Sequence, residues 1–184
     1  GIYNVCVKLL DNLDNASYLT DQIEVKAYLR LLNVDTAYFK ETDYKDKITN
    51  IQFVNNIDLT NAVSGKDPYI LDEYNMGMIK GWLELNDATN NTYDLYIGSN
   101  TTIYAKNMAR AFYNMPNVSE FNTNNYLNTG EVTNTEAMFY NFGRATNSFK
   151  LDLGNQFDTS NVISMSQMFR FTGRDATNFS LNLG

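Results

Sequence analysis

Residues 127–154 read LNTGEVTNTEAMFYNFGRATNSFKLDLG, and residues 157–184 read FDTSNVISMSQMFRFTGRDATNFSLNLG. Without a gap, Thr129 falls on Thr159, Val132 on Val162, Met138-Phe139 on Met168-Phe169 and Gly143-Arg144 on Gly173-Arg174. Phe149, Leu151, Leu153 and Gly154 fall on Phe179, Leu181, Leu183 and Gly184. A fixed period of this size is the mark of a solenoid, in which each repeat is a coil stacked on its neighbours. Val162, Met165, Met168 and Phe169 are three and four apart, so they share one face of a short helical turn, as do Val132, Met138 and Phe139 in the coil before. Phe149, Leu151, Leu153 and Phe179, Leu181, Leu183 are two apart, so each set shares one face of a short strand. These residues are the expected repeat core. Gly173 turns the chain, and Asp158-Thr159-Ser160 offers oxygens to cap the helical turn.

Outward from this pair, residues 107–126 read as a degenerate coil, with Ala111-Phe112-Tyr113-Asn114 matching Met138-Phe139-Tyr140-Asn141 at a shorter offset. The expected fold is therefore an α/β solenoid of short strands and short helical turns over 107–184, with an α+β capping region over 1–106. Within that cap, 2–10 and 48–54 read as strands and 11–15 as a turn. Asp21 with Glu24 resembles a capping box opening a helix along Ile23, Ala27, Leu31 and Val34. A second helix is expected within 35–47, a loop over 55–75, a helical piece from Met76 to Leu85 carrying Trp82, and a hairpin of 93–98 with 101–106 about Gly98-Ser99-Asn100. The chain stops at the last residue of a coil. The uncovered sides of Phe179, Leu181 and Leu183 predict either further coils or a contact with another molecule, including a homotypic one.

Composition narrows the function. A net charge of −7 disfavours nucleic acid. No apolar run approaches the roughly 20 residues of a membrane span. The chain has no histidine, which removes Ser-His-Asp and Cys-His catalysis and histidine metal sites. No glycine-rich phosphate loop is present. Carboxylate pairs such as Asp72-Glu73 and Asp43 with Asp46 read as solvated surface. Cys6, the single cysteine, has no intramolecular disulfide partner and reads as a small apolar strand residue. No catalytic residue, metal or cofactor is expected. Asp152, Asn155 and Asp158 cluster between coils, but their spacing fits neither an EF-hand nor a glycine-rich calcium repeat; turns and caps are the expected role. Asn-x-Ser/Thr triplets at Asn15, Asn100 and Asn117 accord with an Asn-rich composition.

Two register-matched sets face outward if the core assignment holds. Lys150 and Asp152 stack near Ser180 and Asn182 on the strand face; Arg144 stacks near Arg174 on the turn, beside Tyr140, Phe142 and Phe171. Such an arginine ladder suits acidic or aromatic partners. The local alternative is that Arg174 pairs with Asp175 and the aromatics pack beneath the turn.

The segment FDTSNVISMSQMF at 157–169 resembles the repeat of BspA-like leucine-rich surface proteins, whose coils read roughly F/W-D-T-S-x-V-T-x-M-x-x-M-F. ITNIQF at 48–53, GWLEL at 81–85, YDLYIGSN at 93–100 and AFYNMPNVSEFN at 111–122 are similar to the segment preceding such repeats, so the resemblance covers 48–184. The first coil departs at Gly130, Glu131 and Thr135, where Ser, Asn and Met are usual. The resemblance implies a leucine-rich-repeat-like solenoid on a bacterial cell surface or secreted, non-catalytic, binding a host, matrix or neighbouring-cell protein or glycan. The alternative is a structural subunit whose coils stack end to end between molecules into a filament or surface layer.

Overall fold

The structure is a computed structural model that describes the backbone of residues 2–10, 16–24 and 42–43, and residues 44–64, 69–72 and 77–184 in full. Its elements are β1 (Ile2–Leu10), β2 (Ala16–Glu24), α1 (Thr42–Lys45), β3 (Ile48–Val54), β4 (Tyr69–Ile70), β5 (Lys80–Asp87), β6 (Thr92–Gly98), β7 (Ile103–Tyr104), β8 (Glu120–Asn122), β9 (Leu127–Asn128), β10 (Ser148–Asp152) and β11 (Asn178–Asn182). Among the described residues, β1 and β2 form an antiparallel pair, β7 and β9 a short parallel pair, and the others a seven-stranded sheet in the order β11-β10-β8-β3-β6-β5-β4. From β11 to β6 the neighbours run parallel; β5 and β4 are antiparallel additions.

The expected α/β architecture with helical turns is overturned: among the described residues the regular structure is almost all strand, and α1 is the sole helix. The coil segments taken for helical turns are runs of β-turns. Met138, Tyr140 and Phe142 N–H groups donate to the carbonyls three residues back, Thr135, Ala137 and Phe139. An α-helix needs an unbroken right-handed backbone, but Ala137 and Asn141 are left-handed at φ 51° and 55°. Gln167 and Phe171 repeat this in the next coil, and Arg110 and Asn114 in the one before. Each such residue costs roughly 1–2 kcal/mol. The return is a bond between coils: Thr135, Ala137, Phe139 and Asn141 N–H groups each donate at 2.9 Å to Ser164, Ser166, Met168 and Arg170 carbonyls. Met108, Arg110, Phe112 and Asn114 donate likewise to Asn134, Glu136, Met138 and Tyr140. Consecutive turns bring every third or fourth side chain to one face, which is why their spacing reads as helical.

Other expectations are corrected too. Lys80–Asp87 is a strand, so the piece from Met76 to Leu85 is not helical where it is described. The hairpin of 93–98 with 101–106 does not form: both edges of β6 are occupied, by β3 and β5, and β7 pairs with β9. Glu24 and Asp21 lie in β2, which ends the capping-box reading; residues 25–41, and the turn at 11–15, lie outside the described residues, as does the side chain of Cys6. Within 35–47 only α1 is helical among the described residues, and the loop expected over 55–75 contains β4. Strands do form at 2–10, 48–54 and 92–98.

The core lies between the sheet and the turn layer. Ile51, Phe53, Leu83, Leu95, Ile97, Phe121, Phe149 and Leu151 are buried and alternate with residues of the opposite face, polar except where Trp82 stacks on Tyr96, as the two-residue period of a strand requires. From the turn layer, Phe112, Phe139 and Phe169 stack at 5.7 Å intervals, and Phe121 packs edge-on at 4.9 Å from Phe112 and 5.2 Å from Phe139. Val132, Met138, Leu153 and Met168 are buried and Val162 is half-buried against the core. Met165, Phe169, Phe179, Leu181 and Leu183 are partly exposed, and the described neighbour of β11 is β10 alone.

Gly143 shows how tightly the layers meet. It is left-handed at φ 61°, and a Cβ there would run into the Phe149 ring and come within 2.7 Å of the Val118 carbonyl. Gly143→Ala is expected to destabilise by about 3 kcal/mol in chemical denaturation, combining backbone strain with overpacking. Phe139→Ala should cost about 3–5 kcal/mol as a fully buried ring, and Phe179→Ala, at 51% exposed, well under half of that. Exposed Asp58, Asp87 and Asp158 accept hydrogen bonds from the Thr60 hydroxyl, the Asn90 amide and the Ser160 hydroxyl, and Asp175 pairs with Arg174. These contacts hold each carboxyl below its ordinary value of 3.8. A lowered value in the folded state means stability that is present above the unfolded value and lost as pH falls. Thermal melts should therefore show the melting temperature declining as pH is lowered through 3.8.

A candidate interaction surface on the turn face

The outward residues picked out by register fall into two groups. On the open sheet face the strand side chains bond mainly to one another. Lys150 Nζ lies 2.9 Å from Glu120 Oε1, an exposed pair that raises the lysine's pKa. Asp152 Oδ1 accepts from Asn182 Nδ2 at 2.9 Å and from the Gly154 N–H at 3.0 Å. Further along the sheet Asp94 Oδ1 accepts from both Asn50 and Asn86. Asp94 and Asp152 are thus committed to ladders and turns. Asp158 likewise accepts from the Ser160 N–H and hydroxyl, and Asn155 N–H donates to Asn125 Oδ1. Asp72, expected on the solvated surface, is instead buried and accepts from the Met78 and Ile79 N–H groups, which fixes the entry into β5.

The turn face carries a different group. The coil offsets place Tyr113, Tyr140 and Arg170 at one register position, and the structure stacks them. Tyr113 and Tyr140 lie 5.1 Å apart with their rings inclined by 14°. The Arg170 guanidinium sits 5.9 Å from the Tyr140 centroid and 4.9 Å from that of Phe171. Arg110 lies over Tyr113 at 5.4 Å, and Arg174 beside Phe171 at 5.7 Å. Tyr140 and Phe171 meet edge-on at 5.8 Å. The left-handed backbone at Arg110, Asn141 and Phe171 sets these side chains along the outside of the stack. Arginine over an aromatic face contributes about 0.5–1 kcal/mol at an exposed site, which biases a long side chain toward the ring.

Sequence register had identified part of this surface. Arg174 is there, though its guanidinium also pairs with Asp175, Nε to Oδ1 at 2.8 Å, so the local pairing is realised for that residue. Arg144 stacks in register, its carbonyl accepting from the Asp175 N–H, while its Nε is buried without a hydrogen-bond partner. Phe142 is fully buried and takes no part. Arg110, Tyr113 and Arg170 were missed; the shorter offset already aligned Tyr113 with Tyr140, and the longer one aligned Arg170 with both.

Among the described residues no cluster of three carboxylate, thiol or imidazole groups is arranged to hold a metal ion, and no helix is long and apolar enough to cross a membrane. No curated protein and no solved structure matches the chain. The family described as "Mycoplasma protein of unknown function, DUF285" matches residues 84–184, which take in β6, all the stacked coils and the whole turn-face row. The chain belongs to this DUF285 family.

Proposed function

We propose that the chain is a non-catalytic, surface-associated binding module that displays its stacked coils to a partner outside the bacterial cell. The observation that carries this reading is the row Arg110, Tyr113, Tyr140, Arg170 and Phe171, exposed or half-buried along one face and stacked side chain on side chain. Large rings and planar cations set on a hydrogen-bonded backbone lose little freedom when a partner arrives, which is the usual advantage of a preorganised surface. The DUF285 family is related to BspA-like surface repeat proteins, which supports surface association; adhesion is the finer step proposed here. The sequence lacks histidine, which leaves an enzyme without the commonest general base.

End-to-end assembly of copies into a filament is the less favoured reading. Coil-on-coil stacking between molecules requires an open strand edge at both ends of the array, and the β8 edge facing away from β10 already pairs with β3. Trypsin treatment of intact cells of the source organism, followed by mass spectrometry of released peptides, tests the reading. Exposed Arg110, Arg170 and Arg174 are expected cleavage sites, and peptides from 107–184 should appear without lysis. Abundant protein in lysates that is never shaved would overturn surface display.

A further inference from the structure

We propose that Tyr113 and Tyr140 are an oxidative cross-linking site, at which one-electron oxidation joins the two rings into a dityrosine that staples adjacent coils together. This goes beyond the binding-module reading and does not depend on it.

Proximity is the first argument. The two rings stack with centroids 5.1 Å apart and planes inclined by 14°. The backbone beneath them is tied from coil to coil, since the Phe112 and Asn114 N–H groups donate to the Met138 and Tyr140 carbonyls at 3.0 and 2.8 Å. Beside the pair, Asn141 Nδ2 donates to Asn114 Oδ1 at 3.2 Å. A radical formed on either ring therefore meets its partner within the molecule, at an effective concentration that no dilute second chain matches.

Access is the second argument. Tyr113 is 36% exposed and Tyr140 is half-buried, both on the outer face where an oxidant can reach them. Exposed side chains change rotamer within nanoseconds, which lets stacked rings swing to the edge-on contact that a carbon–carbon bond needs. Among the described residues one other tyrosine pair is in ring contact, Tyr44 with Tyr93. Those rings lie 6.2 Å apart and tilted by 54°, and Tyr93 is buried. The turn-face pair is both the closer and the more open.

The chemistry balances without help from other residues of the chain. Hydrogen peroxide, acting through a haem peroxidase, takes one electron and one proton from each phenol. The unpaired spin reaches the ring carbons beside each hydroxyl, and one such carbon from each ring forms the new bond. The hydrogen on each joined carbon then moves as a proton to the oxygen, which restores both phenols. The protein loses two hydrogen atoms in all, and one peroxide is reduced to two waters. The sequence holds thirteen tyrosines and a single cysteine, so a redox staple within these residues can come from tyrosine but not from a disulfide. Like a disulfide, the link keeps two distant points of the chain together in the unfolded state and so favours the folded one.

Treatment of the purified chain, at high dilution, with hydrogen peroxide and a haem peroxidase tests the proposal. Digestion with trypsin and a glutamate-specific protease releases residues 111–120, whose one tyrosine is Tyr113, and residues 137–144, whose one tyrosine is Tyr140. The two peptides should be recovered joined, lighter than their sum by two hydrogens and with dityrosine fluorescence, from protein that still migrates as a monomer. Tyr113→Phe and Tyr140→Phe should each abolish this species, and Tyr44→Phe should leave its yield unchanged. Exposed Tyr113 carries the test if Tyr140→Phe does not fold. Oxidation in urea that unfolds the chain should lower the yield severalfold, because the advantage lies in folded proximity. The linked protein should melt several degrees above the unlinked one. Absence of the joined peptide, links made mainly between chains or at other tyrosines, a matching loss in the Tyr44 variant, equal yield from the unfolded chain or an unchanged melting temperature would overturn the proposal.

Discussion

The turn layer depends on one interaction: alternate backbone N–H groups of each coil donate to alternate carbonyls of the next. The bonds at 135, 137, 139 and 141 fix which residue of one coil lies over which residue of its neighbour, and those at 108, 110, 112 and 114 do the same one layer earlier. On the sheet side, β10 and β11 pair with the same register, Phe149 against Phe179 and Leu151 against Leu181. Two hydrogen-bonded seams on opposite sides of the core thus impose one offset. A slip by one residue would turn an entire strand's apolar set outward.

This arrangement explains why strained backbone is tolerated at Arg110 and Ala137, neither of which favours a left-handed conformation. At Arg110, Asn114, Ala137 and Asn141 the left-handed residue's own N–H donates to a carbonyl of the neighbouring coil, and that bond offsets its cost. At Arg110, Ala137 and Asn141 the next N–H closes a turn within the coil. The same turns that place Phe112, Phe139 and Phe169 inward put Tyr113, Tyr140 and Arg170 outward, one residue further along. The stacked core and the candidate interaction surface are therefore two consequences of one register. Interior substitutions that disturb stacking, such as those at Gly143, disturb the outer row as well.

Much of this was legible in the sequence, and the errors share a cause. The period, the inward alternation of Phe149, Leu151 and Leu153, and strands at 48–54 and 92–98 follow from local pattern. The helical reading of the turns failed because spacing of three and four is common to helices and to consecutive β-turns, and of the left-handed turn residues only Asn114, Asn141, Gly143 and Gly173 are types that suggest such a backbone. The strand at Trp82 and the pairing of β7 with β9 depend on which sheet edges are already occupied, which no local window contains. Within the candidate surface, Arg174 was visible by identity with Arg144. Arg170 was hidden because it replaces a tyrosine in its column, so that similarity conceals an equivalence that geometry makes plain.

The direction of the coil-to-coil bonds has an electrical consequence. In the middle coil the carbonyls of Asn134, Glu136, Met138 and Tyr140 point back and the N–H groups of Thr135, Ala137, Phe139 and Asn141 point forward, so four peptide units share one orientation. Aligned peptide dipoles add, as they do along a helix. Here the sum runs across the chain, from layer to layer, and each coil extends it. The stack is consequently polarised, with its positive pole at the coil of Met165, Gln167, Phe169 and Phe171, and any further layer of this conformation can join it in one sense only.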